Sequence, residues 1–422
     1  MHKKISYINS SKRNFIKNLG LTLTPLILNP FFNTLKADNL KDSIKKFEIK
    51  VSKEKIDKII SKVRDFDWTK MKFSSGWEMG TDPVFMRDLC NYWIEQYSWK
   101  KNENELNSFS HYKTKVSNID IHFIHEKGSG PNAIPLILSH GWPGSIAEFK
   151  KIIRPLTHPQ NYGGSQNDSF DVIVPSLPGF GFSSAPSKPY GPRKIAEIFN
   201  KLMVNNLGYK KYIAQGGDWG GYISAWMGFD HSKFCQGVHI NYMGFRHKDP
   251  PKTEEEIKWL DDLIAGVAME KGYMTQKATK PLSLAYSMSD SSVGVAAWIT
   301  EKFYGWSDRS EKSFLEVFSQ DELLTNIMIY LITDTFETAS WIYYGRREEG
   351  GRVLSKIGKR VEVPTACAVF PKELLPWPPK SYADRLFNIV QWTNMPSGGH
   401  FAAMEEPQLL TKDITKFSKR FR

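Results

Sequence analysis

The chain has 422 residues, 41% of them hydrophobic and 24% charged, enough apolar material for one large core or two smaller ones. A disordered tail or a fibre is excluded by that balance. The net charge of +12 does not signal a nucleic-acid surface: half of it comes from Lys3, Lys4, Lys12, Arg13, Lys17 and Lys36, which share the first 37 residues with no acidic residue, and no basic run with interleaved aromatics follows.

Along the chain, residues 1–37 read as an address. A basic stretch, Ser10-Ser11-Lys12-Arg13-Asn14-Phe15-Ile16-Lys17, precedes a mostly apolar run from Leu19 to Phe32 that is broken by Pro25, Asn29 and Pro30. That is the order of an export signal, and the run is too short and interrupted for a stable membrane span. The stretch is similar to the twin-arginine signal, with lysine in place of its first arginine, so the expectation is export to the periplasm. The alternative is an amphipathic helix packed on the domain, which would leave the protein cytoplasmic.

Residues 45–110 are expected to be mostly helical. Ile49, Val51, Ile56, Ile59, Ile60 and Val63 recur at intervals of about three and four, and a second helical segment, Pro83 to Tyr97, carries Phe85, Leu89, Tyr92, Trp93 and Tyr97. The period then changes. Residues 119–125, 133–139, 171–175, 212–215, 363–370 and 389–392 are short β-rich runs, several closed by glycine turns, which predict βαβ units on a buried parallel sheet. Residues 249–348 interrupt that alternation with a helical, aromatic-rich insertion, read as a cap. Cys90, Cys235 and Cys367 lie far apart with no C-x-x-C pair, which indicates neither a zinc site nor a disulfide framework and predicts buried thiols.

The chemistry concentrates at Gln215-Gly216-Gly217-Asp218-Trp219-Gly220-Gly221, directly after a predicted strand and before a helix. Glycines two before and two after the central residue permit the strained strand-to-helix turn of a nucleophile elbow, with Asp218 in the central place. Ser139-His140-Gly141-Trp142-Pro143-Gly144-Ser145 follows an earlier strand and has the composition of an oxyanion loop. The order nucleophile, acid, histidine is completed by Glu373, just past a strand, and by His400 in Pro396-Ser397-Gly398-Gly399-His400-Phe401. Each taken singly has a bland reading, His400 as a surface histidine and Glu373 as a helix-terminal charge. Together, and in this order, they point to covalent hydrolysis.

The motifs HGWPGS at 140–145, PGFGFS at 178–183, GGDWGG at 216–221 and PSGGHFAAMEEP at 396–407 resemble those of the microsomal-type epoxide hydrolases of the α/β-hydrolase superfamily. The segment from Phe47 through Trp68, Trp77, Tyr92, Trp93, Trp99 and Leu106-Asn107 is similar to their N-terminal domain, so the resemblance spans about residues 45–420. It implies an α/β-hydrolase fold, a mostly parallel sheet flanked by helices, organised as an N-terminal helical domain at 45–115, core at 116–248, helical cap at 249–348 and core again at 349–422. It further implies Asp218 as nucleophile, His400 as base, Glu373 as orienting acid, backbone N–H groups of Trp142 and Trp219 as the oxyanion hole, and Tyr273 and Tyr343 as cap tyrosines that hold the epoxide oxygen. Trp341 and Gly345 depart from the family's arginine and acid around the second tyrosine, and Tyr344 competes with Tyr343 for that role. The expected partners are an epoxide and water, with no metal, organic cofactor or nucleic acid; a homodimer stays open.

Two rival readings share these residues. Haloalkane dehalogenases share the fold and the aspartate but resemble a pattern with asparagine where this chain has Trp142. A non-catalytic protein could use such a cavity for an apolar ligand, and would tolerate Asp218→Asn. Around the cap, Trp298, Phe303 and Trp306 are candidates for lining the substrate pocket, whereas Met274 and Met288 are read as packing.

Overall fold

In a computed structural model of the chain, residues 44–354 and 358–422 are described. The export-signal expectation for residues 1–37 falls outside the described residues. Nine strands form one sheet: β1 (Lys45–Phe47), β2 (His111–Val116), β3 (Ile119–Glu126), β4 (Ile134–Ser139), β5 (Phe170–Pro175), β6 (Tyr212–Gly216), β7 (Cys235–Ile240), β8 (Val361–Val369) and β9 (Phe387–Asn394). Their spatial order is β1-β2-β3-β5-β4-β6-β7-β8-β9. The strands from β5 to β9 in that order pair in parallel, and β1, β2 and β3 add antiparallel pairs at one edge.

The topology already selects a place for chemistry. From β4 the chain crosses to β5 on one side, and then to β6 on the other. Ligands of open α/β sheets bind beyond the carboxyl ends of strands at such a reversal. The expected oxyanion loop follows β4 and the elbow follows β6, so the two stand side by side there, with Ser139 paired to Gly216 at the strand ends.

Three strands were not expected: β1 lies in the segment read as helical, and β7 and β2 escape the apolar pattern. β7 reads Cys-Gln-Gly-Val-His-Ile, a polar-interrupted run, yet it is central. His239 is buried and pairs with Asp413 at 3.0 Å, and Gly237 leaves the room that the Phe421 ring fills, since a Cβ there would lie 2.5 Å from it. β2, HYKTKV, alternates at the antiparallel edge, where one face stays wet.

The N-terminal segment is also less helical than its periodicity suggests. The helix begins at Lys53, where Ser52 Oγ caps it by accepting from the Lys55 amide. Ile49 and Val51 precede it in extended chain: the Asn107 side chain accepts from the Ile49 N–H at 2.9 Å and donates to its carbonyl at 2.8 Å, and Glu103 accepts from the Val51 N–H at 2.9 Å. Side-chain capture of that backbone competes with helix and wins. Helices Pro83–Glu95 and Trp99–Leu106 follow, each N-capped by a polar side chain, Asp82 and Ser98.

Between β7 and β8 stand the helices Glu254–Thr279, Pro281–Met288, Ser292–Trp306, Gln320–Ile332 and Trp341–Glu348. Tyr273, Trp306 and Tyr343 come from three of these helices and are buried. Cys90, Cys235 and Cys367 are free and buried. Among the described residues, no helix is long and apolar enough to cross a membrane.

Candidate active site

Asp218 opens the helix Asp218–Asp230 immediately after β6 and carries a φ of +45°. A non-glycine residue is rarely held in that region, and such strain marks places where surroundings over-determine the backbone. The flanking glycines make the turn possible. A Cβ on Gly220 would overlap the carbonyl of Ser139, and one on Gly216 would overlap the backbone of Gly220. Strand and helix therefore approach more closely than any side chain would allow.

The loop after β4 supplies the electrostatics. The Trp142 N–H donates to Oδ1 of Asp218 at 2.8 Å, and a Cβ on Gly141 would fall on the same carboxylate. Several bonds hold the loop in that shape. His140 Nδ1 lies 2.9 Å from the Gly141 carbonyl and its Nε2 accepts from the Leu177 N–H at 3.2 Å, so the network assigns the Nδ1–H tautomer. From the cap, Asn326 donates to the Pro143 carbonyl at 2.8 Å and the Tyr330 hydroxyl to that of Gly144 at 2.7 Å. The Trp142–Pro143 peptide is cis. Trp219, the other expected oxyanion donor, stands in the first turn of the elbow helix, where backbone N–H groups have no intrahelical acceptor. Its amide makes no hydrogen bond to Asp218 among the described residues.

His400 and Glu373 arrive from the ends of β9 and β8. His400 Nε2 is 3.5 Å from Oδ2 of Asp218, and Nδ1 is 2.5 Å from Oε1 of Glu373. Both side chains are 2% exposed, whereas Asp218 keeps 18%, so Asp218 is the member of the trio that faces open space. Burial works against a charge on His400, but the Glu373 charge and the hydrogen bonds to Asp218 and Glu373 outweigh it and hold the imidazole well above its ordinary range. The histidine loop is pinned by its backbone: the His400 N–H donates to the Trp306 carbonyl at 2.9 Å, and the Glu405 carboxylate gathers the amides of Asp308, Gly399 and Phe401 at 2.7, 3.0 and 2.8 Å.

The two cap tyrosines meet at this place. Tyr273 comes from the helix Glu254–Thr279 and Tyr343 from Trp341–Glu348; their rings are 5.9 Å apart and lie 5.4 and 6.0 Å from the Trp142 ring. Tyr343 also stands edge-on to Trp219 at 4.6 Å. Burial raises both phenols well above the ordinary tyrosine range, with the Asp218 charge adding to it. Tyr344, the competitor, is half-buried and lies under the Arg347 guanidinium instead. Trp306 joins the site, 5.0 Å from the His400 ring and 5.6 Å from Tyr273. Phe303 does not: it stacks on Phe401 at 4.0 Å behind the histidine. Trp298 is half-buried and packs against the core.

Sequence reasoning missed four residues here. Glu405 stands in the same motif as His400, and its spacing, five residues on, is a signal that a carboxylate returns to cap the loop. Lys277 is one helical turn after Tyr273 and so shares its face. Tyr330 has no distinguishing signal inside an apolar helix, and Glu148 sits on the short turn Ile146–Phe149 just after the expected oxyanion loop. Burial pushes the Glu148 carboxyl up to about 8, with Asp218 and Glu405 adding and His400 opposing. Folding must then keep Glu148 protonated where the unfolded chain would ionise it, so its contribution worsens as pH rises from about 4.5 to about 8. Glu148→Gln is accordingly expected to raise the Tm at pH 8 more than at pH 5, checked by thermal unfolding at the two pH values; an equal shift at both would contradict the assignment.

An aspartate on a strained turn at the reversal point of a mostly parallel sheet, served by a histidine and an acid from the ends of later strands, defines an α/β hydrolase. Comparison with known proteins narrows the class. Residues 44–149 match the family model described as epoxide hydrolase N terminus, and residues 134–256 match that of the alpha/beta hydrolase fold. Epoxide hydrolase 1 of Sus scrofa is 36% identical, over 89% of this chain and 88% of its own; juvenile hormone epoxide hydrolase 1 of Ctenocephalides felis is 34% identical, over 92% and 88%. Among solved structures, the epoxide hydrolase of Aspergillus niger superposes with a TM-score of 0.79 at 26% identity, covering 90% of this chain and 97% of that one. The juvenile hormone epoxide hydrolase of Bombyx mori gives 0.79 at 29%, covering 90% and 95%. The chain belongs to the epoxide hydrolase family, and it is an enzyme of the α/β-hydrolase fold.

Proposed function

We propose that this enzyme adds water to an epoxide to give a vicinal diol, through a covalent ester on Asp218. The observation that carries the reading is the Asp218 carboxylate fixed between the Trp142 N–H and His400, with two buried phenols within its electrostatic reach. A carboxylate needs no base to attack a strained ring. With Oδ1 held by the Trp142 N–H, Oδ2, which His400 faces at 3.5 Å, is the oxygen that forms the bond to the ring carbon. The carbon–oxygen bond of the ring breaks, its electron pair stays on the oxygen, and Tyr273 and Tyr343 donate hydrogen bonds to that alkoxide, which becomes a hydroxyl with the proton that the His400 imidazolium gives up.

Ester formation then prepares the second half. The Asp218 charge that helped hold a proton on His400 is consumed, so the imidazole becomes easier to deprotonate and can take a proton from water. Water attacks the carbonyl carbon of Asp218, the charge developing on Oδ1 is met by the Trp142 N–H and by the first-turn amide of Trp219, and the diol leaves. Glu373 fixes the tautomer and stabilises the imidazolium.

Removing one phenol hydroxyl is expected to slow ring opening by about 2–4 kcal/mol in barrier, by analogy with other oxyanion donors. Tyr273→Phe and Tyr343→Phe should each show this in single-turnover kinetics, while Tyr344→Phe should not; a full loss in Tyr344→Phe alone would reassign the second phenol. The activity itself is tested by incubating the protein with a panel of aryl and alkyl epoxides and scoring diol by mass spectrometry. A dehalogenase reading has one observation in its favour, the buried Trp142 indole N–H without a partner among the described residues, which could serve a halide. Halide release from alkyl halides without diol from any epoxide would support it. For residues 1–37 we propose an export signal, tested by finding the protein in the periplasmic fraction and shortened at its N-terminus.

A further inference from the structure

Lys277 is the side chain that this mechanism leaves unexplained. It is 0% exposed, and its amine has no hydrogen-bond partner among the described residues. The amine lies 2.7 Å from the centre of the Trp142 ring, with the rings of Tyr343, Phe336 and Tyr273 at 5.2, 5.7 and 5.9 Å. The walls of this box are therefore both cap phenols and the tryptophan whose backbone N–H holds the nucleophile. An amine without a hydrogen-bond partner in such surroundings costs stability, because its donors are unsatisfied and ring faces alone compensate its charge. A methionine would fill the same space without that cost, so packing does not account for a lysine here.

The charged groups that act on it are few. Burial, with Lys302 adding to it, holds the Lys277 amine well below the ordinary lysine range, while Asp218 works in the other direction. Lys302, on the helix Ser292–Trp306, is itself compensated by Glu270 at 3.2 Å and Glu301 at 2.7 Å. The ionisable groups whose rings face the amine are Tyr273 on its own helix and Tyr343 on the helix Trp341–Glu348. Asp218, on the elbow, is the anion that reaches it at rest.

Ring opening moves negative charge from Asp218 to the oxygen between the phenols, which form two walls of the Lys277 box. We propose that Lys277 is a positioning residue for the ring-opening step, its amine binding a proton as charge arrives at the two phenols and releasing it as the neutral diol leaves. The proton is taken from solvent and returned to it, so the overall addition of water is unchanged. An interaction that is stronger with the charge at the phenols than with the charge at Asp218 accelerates the step, because it favours the transition state over the ground state. Lys277 acts through the phenols and not on the substrate: its buried amine does not face open space.

The inference rests on the epoxide-opening reading, and the test separates the two. With styrene oxide as probe, the rate of adduct formation on Asp218 is followed by rapid quench and intact-protein mass from pH 6 to pH 10. The wild type is expected to slow as pH rises through a single limb. Lys277→Met is expected to lose that limb, to run about tenfold slower than wild type at pH 7, and to keep or raise the Tm, since an unpaired buried amine is removed. Should the methionine variant fail to fold, Lys277→Arg serves instead, because its guanidinium stays charged: it should remain fast where the wild type slows. A folded Lys277→Met or Lys277→Arg with the wild-type limb and rate would overturn the inference. Absence of any Asp218 adduct in protein with Lys277 intact would sink the epoxide-opening reading itself.

Discussion

Asp218→Ala is expected to abolish diol formation, lowering kcat by about 10⁴-fold or more, a loss of the size seen when a nucleophile is deleted from a covalent hydrolase. The expectation follows from how much of the local structure exists to present this one carboxylate. A residue at a φ of +45° is strained, and the strain persists because Gly216 and Gly220 let strand and helix close on each other. Alanine keeps the strain and removes the nucleophile. The neighbouring oxyanion donors and phenols would remain, and they explain any small residual rate above the uncatalysed reaction. Diol formation at the wild-type rate by Asp218→Ala would show that the ring is opened by something else, and no adjustment of the remaining residues would rescue the assignment.

His400→Gln should separate the two halves of the reaction. Attack by Asp218 does not need a base, so the ester should still form, whereas its hydrolysis needs a proton taken from water. The intact protein should therefore gain the mass of one substrate and hold it, while steady-state turnover falls by about 10³-fold or more. The raised imidazole is consistent with this division. Before attack, Glu373 and Asp218 both favour the protonated ring; after attack one of the two is neutral, and the histidine changes from a cation that accompanies the nucleophile into a base. A glutamine can preserve a polar contact in that space but cannot exchange a proton on this timescale. If single-turnover mixing of His400→Gln with excess epoxide leaves the protein mass unchanged, the carboxylate is not the attacking group.

How much of this was legible in the sequence depends on what kind of interaction placed each residue. The central strands could be read because strands buried on both faces are continuous apolar runs, and β4, β5 and β6 are such strands. β7 could not, because its polar His239 is satisfied by Asp413, 174 residues away, and its Gly237 is filled by Phe421. No local pattern announces partners at that distance. That Asp218, Glu373 and His400 would meet was legible because chain order and strand ends constrain them together. The choice of Tyr343 over Tyr344 was not, since adjacent residues on a helix differ by about 100° in direction and only packing decides which one faces inward. Packing turns Tyr343 onto Trp219 and leaves Tyr344 under Arg347. Lys277 shows the same limit from the other side: its spacing from Tyr273 was on view, but the box that strips its amine of partners is assembled from Trp142, Phe336 and Tyr343, three separate parts of the chain.

The covalent ester is the central claim, and oxygen-18 tests it most directly. In a single turnover with enzyme in excess over epoxide in H₂¹⁸O, attack by Asp218 transfers one of its own oxygens to the substrate, and water replaces that oxygen on the aspartate. The first-turnover diol should therefore be unlabelled, and the peptide containing Asp218 should gain a single ¹⁸O. A labelled diol together with an unlabelled Asp218 would mean that water attacks the epoxide directly, and would contradict the account.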